Sequence, residues 1–274
     1  MNDLQNAILD APTYYLDSFM EVPVDRQFLH GAVSVFSTRS PAKLSSNEDA
    51  AAIVPYDERT GVLVVADGMG GHASGELAAR LAVESVVHAV VENRNSGLLL
   101  RSAIINGFEL ANAKVQSIGN GAGTTLAVVE ISEEQVRPYH CGDSIILVTG
   151  QRGKIKLTTT SHSPVGYGVE AGLLEPSAAM HHEDRHLILN AIGSTNMRIE
   201  IGSALKLAAR DTVVLASDGL TDNLQVDEIV QVMRKGALAR SIQSIATICR
   251  DRMNGSSGLL SKPDDLTIVA FRRN

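Results

Sequence analysis

The sequence contains no tryptophan, only two cysteines and no long hydrophobic run. Cys141 and Cys249 lie far apart and match no metal-binding spacing, so we expect two buried thiols in a reducing compartment. No segment approaches the roughly 18 consecutive apolar residues of a transmembrane helix, which predicts a protein that does not cross a membrane. The first residues, MNDLQNAILDAPTYY, carry acids and no basic cluster. This argues against a secretory signal and predicts a cytoplasmic location.

Aromatic side chains and positive charge are also scarce. Aromatic residues make up 4% of the chain, lysines and arginines are scattered, and the formal net charge is −7. This composition argues against a nucleic-acid-binding surface. An apolar fraction of 44% and a mean hydropathy of +0.05 are typical of a globular protein, which we expect to be a monomer. An acidic protein that handles phosphate would need metal cations to offset its own charge.

Hydrophobic periodicity predicts the helices and strands. Residues 31–38 alternate like a half-buried strand, and residues 61–67, GVLVVAD, are continuously apolar like a central strand. Two helical stripes follow, one from Leu77 to Val90 and one from Leu100 to Val115. Hairpin-linked strands and paired helices favour an α+β fold of antiparallel sheets covered by helices. The other predicted elements are strands at 124–132, 135–142, 144–160 (with a hairpin turn), 186–193, 211–219 and 264–273, and helices at 226–235 and 239–253.

Two segments stand apart from this pattern. Residues 1–28 are predicted to be an N-terminal extension to a single domain over 29–274. Residues 160–186 are rich in proline, glycine and histidine, which predicts a long irregular excursion at the surface. Its histidines match no zinc-binding spacing, so we expect ordinary surface residues at His162, His181 and His182.

Three aspartates mark the ends of apolar strands. Asp67 follows VLVVA, Asp218 follows VVLAS, and Asp264 precedes LTIVAF. Carboxylates that converge at strand ends repel one another, and hard divalent cations such as Mg²⁺ or Mn²⁺ relieve that repulsion. Taken singly, each aspartate could instead cap a turn, as Asp-Gly pairs often do. The repeated pattern, together with the acidic NEDA at 47–50, favours a metal site.

The ordered motifs of the chain resemble the metal-dependent serine/threonine protein phosphatases of the type 2C group (PPM), especially its bacterial branch. The resemblance runs from about Gly31 to Phe271. It implies a four-layer α-β-β-α sandwich of two antiparallel β-sheets flanked by helix pairs, with residues 160–186 as a flap beside the active site. The motifs are NEDA (47–50), VADGMGGHASGE (65–76), GAGTTL (121–126), CGDS (141–144), NAIGS (190–194), ASDGLTDN (216–223) and DDLT (264–267).

The resemblance also implies roles for individual residues. Two Mn²⁺ or Mg²⁺ ions would be bridged by Asp67 and would activate a water that attacks phosphorus without a covalent phosphoenzyme. Asp49 would hold metal-bound water. Glycine at 70 and 71 would keep side chains away from that water. The implied metal ligands are Glu48, Asp67, the Gly68 carbonyl, Asp218 and Asp264, with Asp143 and Asp222 at a weaker third site.

Departures from the family pattern concern proton donation and phosphate binding. Met69 stands where some members carry a histidine, so His72 is the nearest candidate to protonate the leaving group. An equally good interpretation is that His72 only caps or packs beside the following helix. Leu44 stands where an arginine usually grips substrate phosphate, which leaves Lys43 and Arg39 as candidate anchors.

Three further departures lie near the motifs. Ile145 and Asn190 replace arginines that are common in the family, which weakens the case for tight phosphate binding. Asp265 stands where asparagine is usual and adds charge beside the metals, a change that we expect to be tolerated.

Three functions are compatible with these residues. We favour a phosphatase acting on phosphoserine and phosphothreonine in proteins, with a phosphoprotein as substrate and a serine/threonine kinase, or the target of that kinase, as partner. A catalytically silent relative that binds partners is the second, although every main metal position holds a competent ligand. An ATP-binding module of the histidine-kinase and gyrase type, suggested by DGMGG, is the third. Against this third function, the sequence lacks the upstream metal-binding asparagine and the glycine-rich lid that such a module needs.

Overall fold

A computed structural model describes residues 9–69, 73–180, 182–256, 258 and 261–274. Within them, two antiparallel β-sheets form the centre of the fold. The first sheet has the strand order β1-β4-β5-β7-β8-β11, with β6 paired to β5 and β12 paired to β8. Its strands are β1 (Thr13–Leu16), β4 (Asp49–Pro55), β5 (Thr60–Met69), β6 (Gly123–Thr124), β7 (Leu126–Ser132), β8 (Gln135–Cys141), β11 (Glu200–Ile201) and β12 (Leu205–Lys206).

The second sheet has the strand order β10-β9-β13-β14-β3-β2. The predicted hairpin in residues 144–160 forms its edge, because β9 and β10 pair antiparallel there. The strands of this sheet are β2 (Val24–Phe28), β3 (Gly31–Thr38), β9 (Ile145–Thr149), β10 (Ile155–Thr158), β13 (Thr212–Ala216) and β14 (Leu266–Arg273).

Helices cover the outer face of each sheet. Helices α1 (Ala73–Asn93) and α2 (Leu100–Ile118) pack on the first sheet, as the two predicted helical stripes require. Near the C-terminus, α6 (Val226–Met233) and α7 (Leu238–Met253) pack on the second sheet. The predicted α+β four-layer sandwich is therefore confirmed.

The alternation of side chains along each strand separates the layers. On β4, Ala52 and Val54 join the core under α1 and α2, whereas Ala51 and Ile53 point into the core between the sheets. Every residue of this strand is buried. A continuously apolar strand is thus what a sheet covered on both faces demands.

The excursion at 160–186 is more regular than its composition predicts. It contains α3 (Pro164–Glu170), α4 (Pro176–Ala179) and a 3-10 helix (Glu183–His186). Ser163 caps α3, since its side chain accepts the N–H of Gly166 at 2.9 Å. Another short helix, α5 (Asp218–Thr221), follows β13.

The predicted strand at 186–193 is wrong. In this segment a single bridge joins Ile192 to Thr124, and Leu187 and Leu189 are exposed. Its apolar alternation has no long ladder to join in the described structure, and so it stays irregular.

The N-terminal segment contributes to both sheets in its described part. Strand β1 pairs with β4 along the edge of the first sheet, and β2 pairs with β3 along the edge of the second. The domain boundary at residue 28 stays a prediction. None of the helices in the described part of the chain combines the length and apolar character that crossing a bilayer requires.

Candidate metal centre

The centre lies where strands of the two sheets end side by side. On the first sheet, Asp49 opens β4 directly opposite Asp67 on β5. On the second, Asp218 follows β13 and Asp264 precedes β14, and these two strands are paired. The four carboxylates repel one another electrostatically. Burial, followed by the charges of Asp218, Asp49, Asp264 and Asp143, raises the pKa of Asp67 well above its usual range.

Glycine at 68 lets two backbones meet beside Asp67. The Gly68 N–H donates to the carbonyl oxygen of Glu48 at 3.1 Å, and a Cβ at Gly68 would clash with the carbonyl of Gly75. A Cβ at Gly75 would in turn lie 2.5 Å from Glu48 Oε1. These glycines therefore bring the Glu48 side chain and the Gly68 backbone next to Asp67.

The GAGTTL motif fixes the backbone of Asp67. Its N–H donates to Thr125 Oγ1 at 3.0 Å, and its carbonyl accepts from the Thr125 N–H and the Thr124 hydroxyl, both at 2.8 Å. Thr125 Oγ1 also shares a 2.6 Å hydrogen bond with Ser144 Oγ of the CGDS motif. Hydroxyl and backbone groups of two neighbouring motifs thus hold the bridging candidate in place.

Asp49 is buried and half satisfied. Its Oδ2 accepts from Ser217 Oγ at 2.7 Å, whereas its Oδ1 has no hydrogen-bond partner among the described residues. Burial and the neighbouring charge of Asp265 raise the pKa of Asp49 to about 8. A buried carboxylate oxygen without a partner is costly unless a water or a cation completes its contacts.

Asp143 shows the same deficit. It follows Gly142, whose φ of 111° favours glycine and whose Cβ would press on the Thr125 side chain. Its Oδ1 is buried with no hydrogen-bond partner in the described structure. Burial and the charge of Asp222 raise the pKa of Asp143 to about 6. This aspartate therefore faces the acidic cluster and is more than a turn residue.

A lysine that sequence reasoning missed stands inside the cluster. Lys262 Nζ lies 3.2 Å from Asp218 Oδ2, 3.2 Å from Asp222 Oδ2 and 2.8 Å from Asp264 Oδ2. Burial lowers the pKa of Lys262, but these three carboxylates raise it above its ordinary value. The one sequence signal is its position two residues before Asp264.

Lys43 joins the two halves of the centre. Its ammonium lies 2.7 Å from Glu48 Oε2 and 2.6 Å from Asp265 Oδ2. Asp265 is buried and also accepts the backbone N–H groups of Ser40 at 2.6 Å and Glu48 at 2.7 Å. The unusual aspartate at 265 thus has a cationic partner.

Arg39 lies on the wall of an adjoining cleft of about 530 Å³. Its guanidinium stacks 5.0 Å from the Phe19 ring centroid and donates to the Leu44 carbonyl at 3.1 Å. Leu44 itself is 93% exposed. Lys43 and Asp264 also line this cleft, so both candidate phosphate anchors border the acidic centre. The predicted proton donor His72 and the glycines at 70 and 71 lie outside the described residues.

A second group of potential ligands lies at the base of the excursion. His140, His162 and Glu200 offer atoms within 4.8 Å of one another. The two imidazole rings stack at 4.4 Å, and their nitrogens make hydrogen bonds to Thr160, Asn190 and Glu200. Both nitrogens of His162 and Nε2 of His140 are engaged in these contacts, so a hydrogen-bond network accounts for the group. The prediction that His162 is a surface residue is wrong, because its side chain is buried. His182 is exposed as predicted, and His181 lies outside the described residues.

The residues of the acidic centre fit hard divalent cations. All its charged ligand candidates offer oxygen. One of them, Asp143, and the neighbouring Asp49 each keep a buried oxygen that no described group satisfies. Burial, followed by the charges of neighbouring carboxylates, raises the pKa values of both Asp67 and Asp218. Mn²⁺ or Mg²⁺ would supply positive charge to offset these carboxylates.

Comparison with known proteins identifies the fold and its chemistry. A family model described as Protein phosphatase 2C matches residues 41–252. The chain belongs to this family. It is 31% identical over 243 residues to the protein phosphatase PhpP of Streptococcus pneumoniae, covering 85% of this chain and 94% of that protein. It is 26% identical over 237 residues to the serine/threonine phosphatase stp of Listeria welshimeri, covering 83% and 90%.

Solved structures agree. The S. agalactiae serine/threonine phosphatase superposes with a TM-score of 0.77 at 27% identity, covering 88% of this chain and 99% of that one. The catalytic domain of the protein phosphatase PstP, in complex with two manganese ions, gives a TM-score of 0.69 at 26% identity, covering 88% and 96%. The predicted metal-dependent protein serine/threonine phosphatase is confirmed at the level of family and enzyme class, and the ATP-binding module is excluded.

Proposed function

We propose that this type 2C phosphatase hydrolyses phosphoserine and phosphothreonine in proteins, using two Mn²⁺ or Mg²⁺ ions held by Glu48, Asp67, Gly68, Asp218 and Asp264. Two such metal ions, when bound, would activate a water nucleophile at neutral pH and offset the negative charge at phosphorus. The carboxylates that converge from both sheets, with the unsatisfied oxygens beside them, carry this proposal.

Asp67 and Gly68 lie at the middle of the proposed ligand set. The β-ladder and two threonines fix the backbone of Asp67, so its carboxylate is preorganised between the two sheets. Glu48 serves the side of the first sheet, while Asp218 and Asp264 serve the second. Preorganised charge of this kind needs no rearrangement during the reaction, which is how it lowers the barrier.

Asp49 positions the attacking water in this proposal. Ser217 holds one of its oxygens, which leaves Oδ1 to accept a hydrogen bond from that water. His72 stays our proposed donor of a proton to the departing serine or threonine oxygen.

Arg39 and Lys43 are proposed to bind the substrate phosphate. Both line the cleft that opens beside Asp264. Lys43 must share its ammonium with Glu48 and Asp265, so it acts as a point charge near the phosphate. Arg39 can present a two-pronged guanidinium after leaving the Leu44 carbonyl.

Partner and location belong to the same proposal. The substrate is a phosphoprotein, and we infer a serine/threonine kinase that phosphorylates the same target. Residues 160–186 would act as the flap that selects it. Two buried free thiols, at Cys141 and Cys249, fit the reducing cytoplasm.

Phosphate release from phosphoserine, phosphothreonine and phosphotyrosine peptides tests this function. The purified protein is first stripped with chelator and then assayed before and after Mn²⁺ is restored. We expect turnover of the first two peptides only with Mn²⁺, and little turnover of phosphotyrosine. Turnover that survives full chelation would contradict the metal centre, and no turnover under any condition would favour a silent, partner-binding relative.

A further inference from the structure

Lys262 lies in the part of the acidic centre that belongs to the second sheet, beside Asp218 and Asp264. Its ammonium contacts one oxygen each of Asp218, Asp222 and Asp264, at 3.2, 3.2 and 2.8 Å. Asp218 and Asp264 are proposed ligands of a main metal. Asp222, with Asp143, was assigned to a weaker third ion by resemblance alone.

The backbone holds this lysine in place. Asn223, which is buried, donates its side-chain amide to the carbonyl of Lys262 at 3.0 Å and to that of Gly219 at 2.9 Å. The chain before β14 is thereby tied to α5, the helix that carries Asp218. Because Asn223 fixes the Lys262 backbone, the side chain starts from a defined position. The side chain is 32% exposed, so it reaches the carboxylates from the edge of the cluster.

The charges at this spot favour one cation over two. A monovalent ammonium already contacts Asp222 Oδ2, an oxygen of a residue that the third ion would use. A divalent ion placed on the same oxygen would repel it across a few ångströms, inside a partly buried cluster where screening is weak. Lys262 Nζ reaches Asp222 Oδ2 directly, at 3.2 Å, so this contact does not pass through Asp218 or Asp264.

We propose that Lys262 is a tethered cation that takes the place of the weak third divalent ion at Asp222. This inference rests on the proposed function, because that function supplies the two main ions. The chain would then bind two divalent ions, with the third charge built into the protein. The curve of bound Mn²⁺ against free Mn²⁺ would then lack the weak phase that a third site produces.

Calorimetric Mn²⁺ titration of the chelator-stripped protein, with free Mn²⁺ counted in parallel by its electron paramagnetic resonance signal, tests the proposal. Lys262→Met removes the charge but keeps the length of the side chain, Lys262→Gln keeps a polar end, and Lys262→Arg keeps the charge. Lys206→Met is the matched control, since Lys206 is 78% exposed and pairs with Glu134 at 3.6 Å. Circular dichroism confirms that each variant is folded.

We expect two bound Mn²⁺ ions in the parent, in Lys206→Met and in Lys262→Arg. Lys262→Met and Lys262→Gln should bind a third ion, or bind the weakest ion at least about tenfold more tightly, because they free Asp222 from the ammonium; tenfold is the lower end of the change in metal affinity that residues beside metal ligands commonly cause. Identical two-ion titrations of parent and Lys262→Met would overturn the role of Lys262 and leave the metal centre standing. A parent that binds no Mn²⁺ would overturn the proposed function and this inference with it.

Discussion

The two halves of the acidic centre are built differently. In the half that belongs to the first sheet, the Asp67 backbone is fixed by a β-ladder and by Thr124 and Thr125. In the half that belongs to the second sheet, Asp218 and Asp264 lie just outside their strands and are drawn together by the ammonium of Lys262. Hydrogen bonds fix the backbone in both halves, but only in the second half does a cation contact the proposed ligands directly.

This difference predicts different effects of substitution in the two halves. The backbone of Asp67 is held by the ladder, so its side chain can be changed without disturbing the fold, and the change should affect turnover directly. The contacts of Asp218 and Asp264 include a cation, so their surroundings determine which cations bind there. Substitutions in the first half should therefore lower turnover, and substitutions in the second should first alter which cations are bound.

Asp67→Asn should have the largest effect. The amide removes the negative charge of the proposed bridging ligand, yet leaves the backbone contacts to Thr124 and Thr125 intact. We expect turnover of a phosphopeptide to fall by about a hundredfold to a thousandfold or more, as for loss of one preorganised electrostatic group. Steady-state kinetics measure this, with the circular dichroism spectrum as control. Near-parental turnover in the folded variant would remove Asp67 from the reaction.

Asp49→Asn should follow, with a distinctive combination of effects. Turnover should fall about 10–100-fold, the usual cost of losing a group that orients metal-bound partners. The melting temperature of the stripped protein should stay level or rise, because the variant removes a buried carboxylate with a raised pKa. Ser217→Ala, which removes one hydrogen bond to Asp49 and the acceptor of the Thr267 N–H, should lower turnover less. A variant that lost both turnover and stability would indicate a structural role instead.

The link between the halves predicts energetic coupling between Lys43 and Asp265. Lys43→Ala leaves the buried Asp265 carboxylate with two backbone donors but no counter-charge. A double-mutant cycle with Asp265→Asn, measured by urea unfolding of the stripped protein, should give a coupling of about 0.5–3 kcal/mol. If the changes in the free energy of unfolding were strictly additive, the ion pair between Lys43 and Asp265 would contribute nothing to stability.

The smallest effect expected is a pH dependence of stability. The pKa values of Asp49 and Asp143 are raised to about 8 and about 6 in the folded chain. The folded protein therefore binds more protons than the unfolded chain, and stability is lost as pH rises through these values. With chelator present, the melting temperature should fall by several degrees between about pH 5 and pH 8, at roughly 2 °C per kcal/mol.

Added Mn²⁺ should remove that fall, since metal ions bind deprotonated carboxylates. The matched measurement uses the same buffers with Mn²⁺ in place of chelator. A melting temperature of the stripped protein that rises over this range would contradict the raised pKa values.

Much of the first half could be predicted from the sequence. Asp67 lies at the end of a strand that was predicted from its apolar run, whereas the role of Asp49, which opens β4, was implied by the family resemblance. The helices α1, α2, α6 and α7 were likewise predicted from their apolar stripes. Local patterns suffice where one face of an element determines its position.

The second half shows where local patterns fail. Lys262 meets Asp218 from 44 positions away, and nothing in SKPDD announces that contact. The edge strands β1 and β2 depend on partners elsewhere in the chain, whereas 186–193 has strand-like alternation without a ladder. Ser217 and Asn223 act through hydrogen bonds that only the assembled fold defines.

Calorimetric titration of Mn²⁺ into stripped parent and Asp67→Asn, side by side, tests the central claim most directly. If Asp67 bridges two ions between the sheets, the parent binds at least two Mn²⁺ ions, and the variant weakens both main sites together. A folded Asp67→Asn protein that binds Mn²⁺ with the stoichiometry and affinity of the parent would contradict the account.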